Sequence, residues 1–325
     1  QKFDGVGGFT VKGGTTDYDY VDKSGVDYVA WCWKAGGNKN TFNVDGVGYA
    51  SFAASPLTAG PTAGDGIGEQ TNLTVTGCSV GTKQGFSIIR YNSASISGSG
   101  NFPHGLNKAP QILITKNIDD ISGSANMWGF YYNLVGGYDG AGDDVNQNTR
   151  WVTLNQANAT GGNGTGRWVG GLYGPFAYLG RDHIWIDQGS YANVNGEENK
   201  SMISYMWHSV PGLQKFGTFE GNFNDDGPYI NCGFRPALVI CRRLDTGNDW
   251  QITDDTRSPF NVNNKGLYAN LDVIQNTTDR VDYLSNGFKI RKALNENNPS
   301  GGTVLYMAWA KTPFNNMYGG QSNAR

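Results

Sequence analysis

Thr303-Val304-Leu305-Tyr306-Met307-Ala308-Trp309-Ala310-Lys311 is the last hydrophobic run of the chain, and a version of it, Tyr28-Val29-Ala30-Trp31-Cys32-Trp33-Lys34, stands near the other end. The likeness extends upstream. Gly287-Phe288-Lys289-Ile290-Arg291 precedes the late run and Gly8-Phe9-Thr10-Val11-Lys12 the early one, each joined to it by a polar connector containing Ser-Gly, at Ser24-Gly25 and at Ser300-Gly301. That is a repeated strand, turn, strand unit. A weaker third copy, Ser201-Met202-Ile203-Ser204-Tyr205-Met206-Trp207-His208, lies between them. The chain therefore reads as a tandem array in which an aromatic-rich strand closes each copy.

Working outward, the first full repeat opens at Phe86-Ser87-Ile88-Ile89-Arg90-Tyr91, turns through Ser97 to Asn101 and continues into His104-Gly105-Leu106, then Pro110 to Lys116. The second opens at Phe216-Gly217-Thr218-Phe219, turns at Asn222 to Gly227 and continues into Cys232-Gly233-Phe234, then Pro236 to Arg242. In both, Gly, a large apolar residue, Pro and a buried four-residue strand ending in a cation recur in order. A tryptophan strand follows each, at Asn126 to Tyr131 and at Asp249 to Thr253. Forty-eight glycines, many Asn, Thr and Ser, and 13% aromatic residues describe short strands between tight turns. The predicted class is all-β: tandem, jelly-roll-like β-sandwich repeats with long loops. Asp272 to Val281 is the best candidate for one short helical turn.

The predicted organisation follows from these marks. Residues 1–35 match the end of a repeat and lack what should precede it, so they read as the terminal hairpin of a truncated upstream repeat in a longer parent chain. Residues 36–85, rich in small and turn-forming residues such as Pro56, Gly60, Pro61 and Gly64, read as a linker with one short strand at Thr71 to Thr76. The repeats span 86–212 and 213–314, and 315–325 is a tail. The first repeat is the longer because of Gly136 to Gly174, a surface insertion by its composition.

Bulk properties exclude several functions. A net charge of −3 with only 16% charged residues gives no electrostatic basis for a nucleic-acid or anionic-membrane partner. No run approaches the roughly 18 apolar residues of a membrane helix, so no membrane insertion is predicted. Four cysteines, Cys32, Cys78, Cys232 and Cys241, are too few and too scattered for a disulfide framework or a zinc ribbon. Cys32 and Cys241 fall in strand-like runs and read as buried free thiols.

The candidate chemistry is thin. Gly77-Cys78-Ser79-Val80-Gly81 fits the G-x-S-x-G nucleophile elbow, but a turn into a strand follows it where a helix is required. Asn222-Phe223-Asn224-Asp225-Asp226-Gly227 spaces oxygens as a calcium loop does, yet Gly233 holds the position of the bidentate Glu, so it reads as a hairpin turn. Asp225-Asp226, Asp254-Asp255, Glu197-Glu198 and Asp143-Asp144 are adjacent acids in turn-like context. His104, His183 and His208 have no metal-ligand spacing. No catalytic residue, metal or cofactor is predicted. Trp31, Trp33, Trp207, Trp250 and Trp309 read as core or inter-repeat packing. Trp151, Trp168, Tyr173, Phe176 and Tyr178, in or beside the polar insertion, suit stacking on sugar rings and form the candidate glycan site.

The set Gly85-Phe86-Ser87-Ile88-Ile89, His104-Gly105-Leu106 and Ala109 to Asn117, followed by Tyr229 to Ile240 and Phe288 to Pro313, resembles repeat modules in virion proteins of tailed bacteriophages, marine and cyanobacterial ones especially. The resemblance covers most of the chain; the insertion after Trp128 and the glycine-rich linker depart from it. It implies a module forming the C-terminal part of a long virion chain, with Asn323-Ala324-Arg325 as its natural end. The expectation is a non-enzymatic tail fibre or surface appendage on the extracellular particle, trimeric, adhering to a host cell-surface glycan. The alternatives are a capsid-decorating or tail-adaptor module bound to other virion proteins, a polysaccharide depolymerase, or a bacterial surface appendage.

Overall fold

The computed structural model describes residues 2–4, 8–11, 25–37, 40–57, 71–93, 100–119, 128–134, 150–155, 167–168, 176–187 and 200–312. The chain divides into two compact units, Gln1–Lys34 and Ala35–Arg325. In the first unit β1 (Lys2–Asp4) and β2 (Gly8–Thr10) form an antiparallel hairpin. Tyr28 to Lys34, predicted to be a closing strand, is not one. A strand exists only through a ladder with a neighbour, and here the run is left largely in solvent, with Tyr28 52% and Trp33 37% exposed. Cys32, expected to be buried, is exposed for the same reason.

The second unit is all-β, with no helix among the described residues. Its first half comprises β3 (Phe42–Val44), β4 (Val47–Tyr49), β5 (Thr71–Asn72), β6 (Val75–Gly81), β7 (Phe86–Asn92), β8 (Gly100–Pro103), β9 (Ile112–Asn117), β10 (Gly129–Tyr132), β11 (Arg150–Thr153), β12 (Arg167–Trp168), β13 (Phe176–Leu179), β14 (His183–Asp187) and β15 (Ser201–Trp207). Its second half comprises β16 (Gln214–Glu220), β17 (Tyr229–Asn231), β18 (Pro236–Arg243), β19 (Gln251–Asp254), β20 (Gly266–Tyr268), β21 (Val281–Leu284), β22 (Gly287–Ile290) and β23 (Thr303–Ala310). Residues 272–280, where a helical turn is predicted, form none: they carry one isolated bridge, Asn276 to Gly266, before β21 begins.

Each half is a large sheet facing a small one. The first pairs β12-β11-β10-β9-β15-β7-β6-β3-β4 with β13-β14-β8-β5, and the second pairs β16-β23-β18-β19-β20 with β17-β22-β21. The order β7-β15-β9-β10-β11 thus corresponds strand for strand to β16-β23-β18-β19-β20, and β8-β14-β13 to β17-β22-β21. Alternation along the strands fills the space between each pair of sheets. Ile89, Tyr91, Leu113, Tyr131 and Met206 meet Phe102, Leu179 and Ile184 in one core; Val239, Cys241, Val304 and Tyr306 meet Ile230, Phe288 and Ile290 in the other.

The segment predicted to be a linker belongs to the first sandwich. β6 pairs antiparallel with β7, and β3 runs parallel to β6. Leu57, Leu73, Val75, Cys78 and Val80 are part of the first core. Their wide spacing among small residues hides the burial in the sequence. Gly36 shows why the residues are small: a Cβ there would overlap the Val80 backbone.

The faces turned away from the two cores are also buried. Ile112, Phe130, Tyr132 and Val152 of the first large sheet, and Leu238, Ile252, Leu305 and Met307 of the second, are each less than a tenth exposed. Trp250 joins the two sets, its ring 4.6 Å from that of Phe130. The large sheets therefore pack against each other through a third apolar layer, which is why β23 is hydrophobic at consecutive positions and not only at alternate ones.

Candidate functional site

The register separates the five residues of the candidate glycan site. Trp151 of β11 pairs with Tyr131 on one side and Arg167 on the other, while Trp168 of β12 pairs with Arg150. The two tryptophans thus occupy successive rungs at the edge of the nine-stranded sheet. Phe176 and Tyr178 lie in the other sheet of that sandwich, opposite Asp187 and Trp185. Tyr173 lies outside the described residues, as do Asp143-Asp144 and Glu197-Glu198. Successive positions along a strand belong to opposite faces of the sheet, so the register does not put Trp151 and Trp168 on one face, and it places Phe176 and Tyr178 in a different sheet.

The motifs weighed for chemistry have structural roles. Gly77 to Gly81 lies inside β6, and Ser79 Oγ donates to the Gly37 carbonyl at 3.0 Å, so the hydroxyl has neither the elbow nor the helix that an exposed nucleophile needs. In the Asn222 to Gly227 turn the side-chain oxygens serve the turn itself: Asn222 Oδ1 accepts from Asn224 N–H and Asn224 Oδ1 from Asp226 N–H, at 3.0 and 2.9 Å. Asp225 pairs with Lys292 and Asp226 with Lys289, at 2.7 and 2.9 Å, and these hydrogen-bonded cations hold both carboxyls below the usual range. No group of three metal-ligating side chains occurs among the described residues.

His104 is fully buried. Its Nδ1 accepts from Leu106 N–H at 3.0 Å, which puts the proton on Nε2, 3.2 Å from the Gly180 carbonyl. Burial pushes its pKa down to about 4. His208 is likewise lowered by burial and sits between the Ser209 carbonyl and Asn107. The buried thiols are raised by desolvation, Cys232 to about 12, with Cys78 and Cys241 also shifted upward. All four cysteines are free and only Cys32 is exposed. A thiol reagent is therefore expected to titrate one cysteine quickly in the native protein and the other three only after denaturation. Two fast thiols would contradict this placement.

Two buried cations were not legible as sites. Arg242, at the end of β18, donates to the Thr153 carbonyl at 3.0 Å, and Trp250 Nε1 donates to the same oxygen at 2.8 Å. The guanidinium lies 5.0 Å from the Trp250 ring. Burial pushes it down to about 10, with Tyr132 and Asp249 acting the other way, so it is charged at neutral pH. A cation ending this strand was visible in both repeats; that it reaches across to the other sandwich was not.

Arg280 anchors a polar corner of the second sandwich. It donates to Asn276 Oδ1, Glu296 Oε1 and the Tyr268 hydroxyl at 3.1, 3.2 and 2.9 Å. The Tyr268 hydroxyl in turn donates to Glu296 and accepts from Asn276, so all its bonding capacity is used. Such a network fixes loops; its hydroxyl has no proton or lone pair left for chemistry. A Cβ on Gly266 would overlap Arg280 Nε. Gly266→Ala is therefore expected to displace Arg280 and lose about 2 kcal/mol of stability, measurable by urea denaturation.

Two packed β-sandwiches, with no helix among the described residues, define the class: an all-β protein. The chain belongs to the family described as "Domain of unknown function (DUF7483)", which matches residues 62–313. That match runs from before β5 to beyond β23, so one family domain spans both sandwiches except for β3 and β4, which precede it. No curated protein and no solved structure matches the chain.

Proposed function

We propose that this protein is a non-enzymatic virion component, a tail fibre or similar appendage that adheres to host cell-surface glycan. The observation that carries the proposal is the buried layer between the two large sheets. With Trp250 and Arg242 both bonded to Thr153, the sandwiches are packed and hydrogen-bonded to each other, which suits an appendage that holds a receptor site at a distance. The resemblance to tailed-phage modules supplies the setting. The adhesive residues would be Trp151, Trp168, Tyr173, Phe176 and Tyr178, through ring stacking on sugars, and the assembled appendage a homotrimer.

The test is a pull-down of the chain on intact host cells beside a glycan array. Saturable binding competed by envelope polysaccharide, and lost in the Trp151→Ala, Trp168→Ala double variant, is the expected result. Binding that survives both substitutions removes the site assignment, and a monomer in sedimentation at micromolar concentration removes the trimer. A second reading, a capsid-decorating or tail-adaptor module, is favoured by Phe260 and Ile274, which are 81% and 91% exposed on the second sandwich. Under it the chain binds purified capsids or tails and ignores cells.

A further inference from the structure

Gln251 of β19 and Asn297 are buried, 2% and 0% exposed, and share a single hydrogen bond, Asn297 Nδ2 donating to Gln251 Oε1 at 2.8 Å. The other half of each amide, Gln251 Nε2 and Asn297 Oδ1, has no hydrogen-bond partner. Buried amides are nearly always satisfied on both halves. Here one donor atom and one acceptor atom are left over on two amides already joined by a hydrogen bond. Exchanging O and N on both amides reverses their labels but still leaves one of each, so the count does not depend on the assignment.

That pairing selects the chemistry of what fits between them. A metal ion would meet the amide N–H, and a carboxylate or phosphate would meet the amide oxygen. A hydroxyl has both a proton to give and lone pairs to receive, and satisfies the two atoms together. We propose that Gln251 and Asn297 form a binding site for one hydroxyl group at the Tyr268–Glu296 corner. Gln251 is the ladder partner of Tyr268, and Asn297 follows Glu296 in the chain. Both neighbours are half-buried, so solvent is one side chain away. The hydroxyl has two sources: a long-lived internal water, or a sugar hydroxyl, the second of which rests on the glycan reading above.

The experiment uses the full chain. Water-to-protein cross-relaxation NMR of the Gln251 side-chain amide is recorded alone and during titration with glucose, galactose and N-acetylglucosamine, beside a high-resolution crystal structure. A water cross-peak on that amide, with ordered density within hydrogen-bond distance of both atoms, is the expected result and assigns the site to water. It should disappear in Asn297→Leu; if that variant does not fold, the wild-type density decides. A saturable sugar-dependent shift of the same signal assigns it to a glycan. Dry density with neither signal overturns the site. Loss of cell adhesion by the chain while the bridging water persists would defeat the glycan reading alone.

Discussion

Replacing Trp250 by Ala is expected to lower the stability of the two-sandwich unit by about 4 kcal/mol, the usual range for truncating a fully buried aromatic side chain. Trp250 is 0% exposed, packs on Phe130 and donates to the Thr153 carbonyl. The substitution removes the ring that spans from one large sheet to the other, so it should also lower the cooperativity between the halves. Calorimetry is expected to show one transition in the parent and a broadened or split one in the variant. Trp250→Phe keeps most of the packing and loses the indole N–H, and should cost about 1 kcal/mol. The decisive measurement is a double-mutant cycle with Phe130→Ala, where contact across the layer predicts a coupling of about 1 kcal/mol. Strict additivity would mean that the two sandwiches do not meet at this ring.

The same residue shows where the sequence could be read and where it could not. The abundance of turn formers and aromatic residues and the copied closing strand announce an all-β chain, because composition and a local run display them without knowledge of partners. Trp250 could be read as packing, but its partner Phe130 lies in the other sandwich, and no local pattern encodes which sheets stack. Residues 36–85 read as a linker because burial there rests on single residues, Leu57, Leu73 and Val80, held among small ones that let backbones approach. Tyr28 to Lys34 erred in the opposite direction: its sequence is that of a strand, but strand formation depends on ladder partners that a local run does not specify. Among the candidate site residues, spacing suggested a shared platform, whereas the ladder places Trp151 and Trp168 on successive rungs and Phe176 and Tyr178 in another sheet. The Arg280 corner left no trace in the sequence, since Tyr268 on β20, Asn276 and Arg280 in the next connector, and Glu296 beyond β22 meet only in the fold.

Acid is expected to destabilise the first sandwich through His104, and the sign follows from its two states. In the folded protein the imidazole is neutral, with Leu106 N–H donating to Nδ1, and burial holds its pKa at about 4; in the unfolded chain it titrates at the ordinary 6.5. Between these values the unfolded chain binds more protons than the folded one, so stability falls as pH falls. The contribution is fully present above pH 6.5 and is lost progressively down to about pH 4. The depression of about 2.5 units corresponds to roughly 3 kcal/mol over that window. His208, also lowered by burial, adds a loss of the same sign. A second proton on His104 would have to sit on Nδ1, where it would face the Leu106 N–H and break that bond. Urea midpoints measured at intervals from pH 7.5 to 4 should therefore decline steadily through this range. A His104→Gln variant should start lower and decline less, because glutamine can bond there but takes up no proton. A parent protein whose midpoint stays level across the window would show that His104 gains its proton as readily in the fold as out of it.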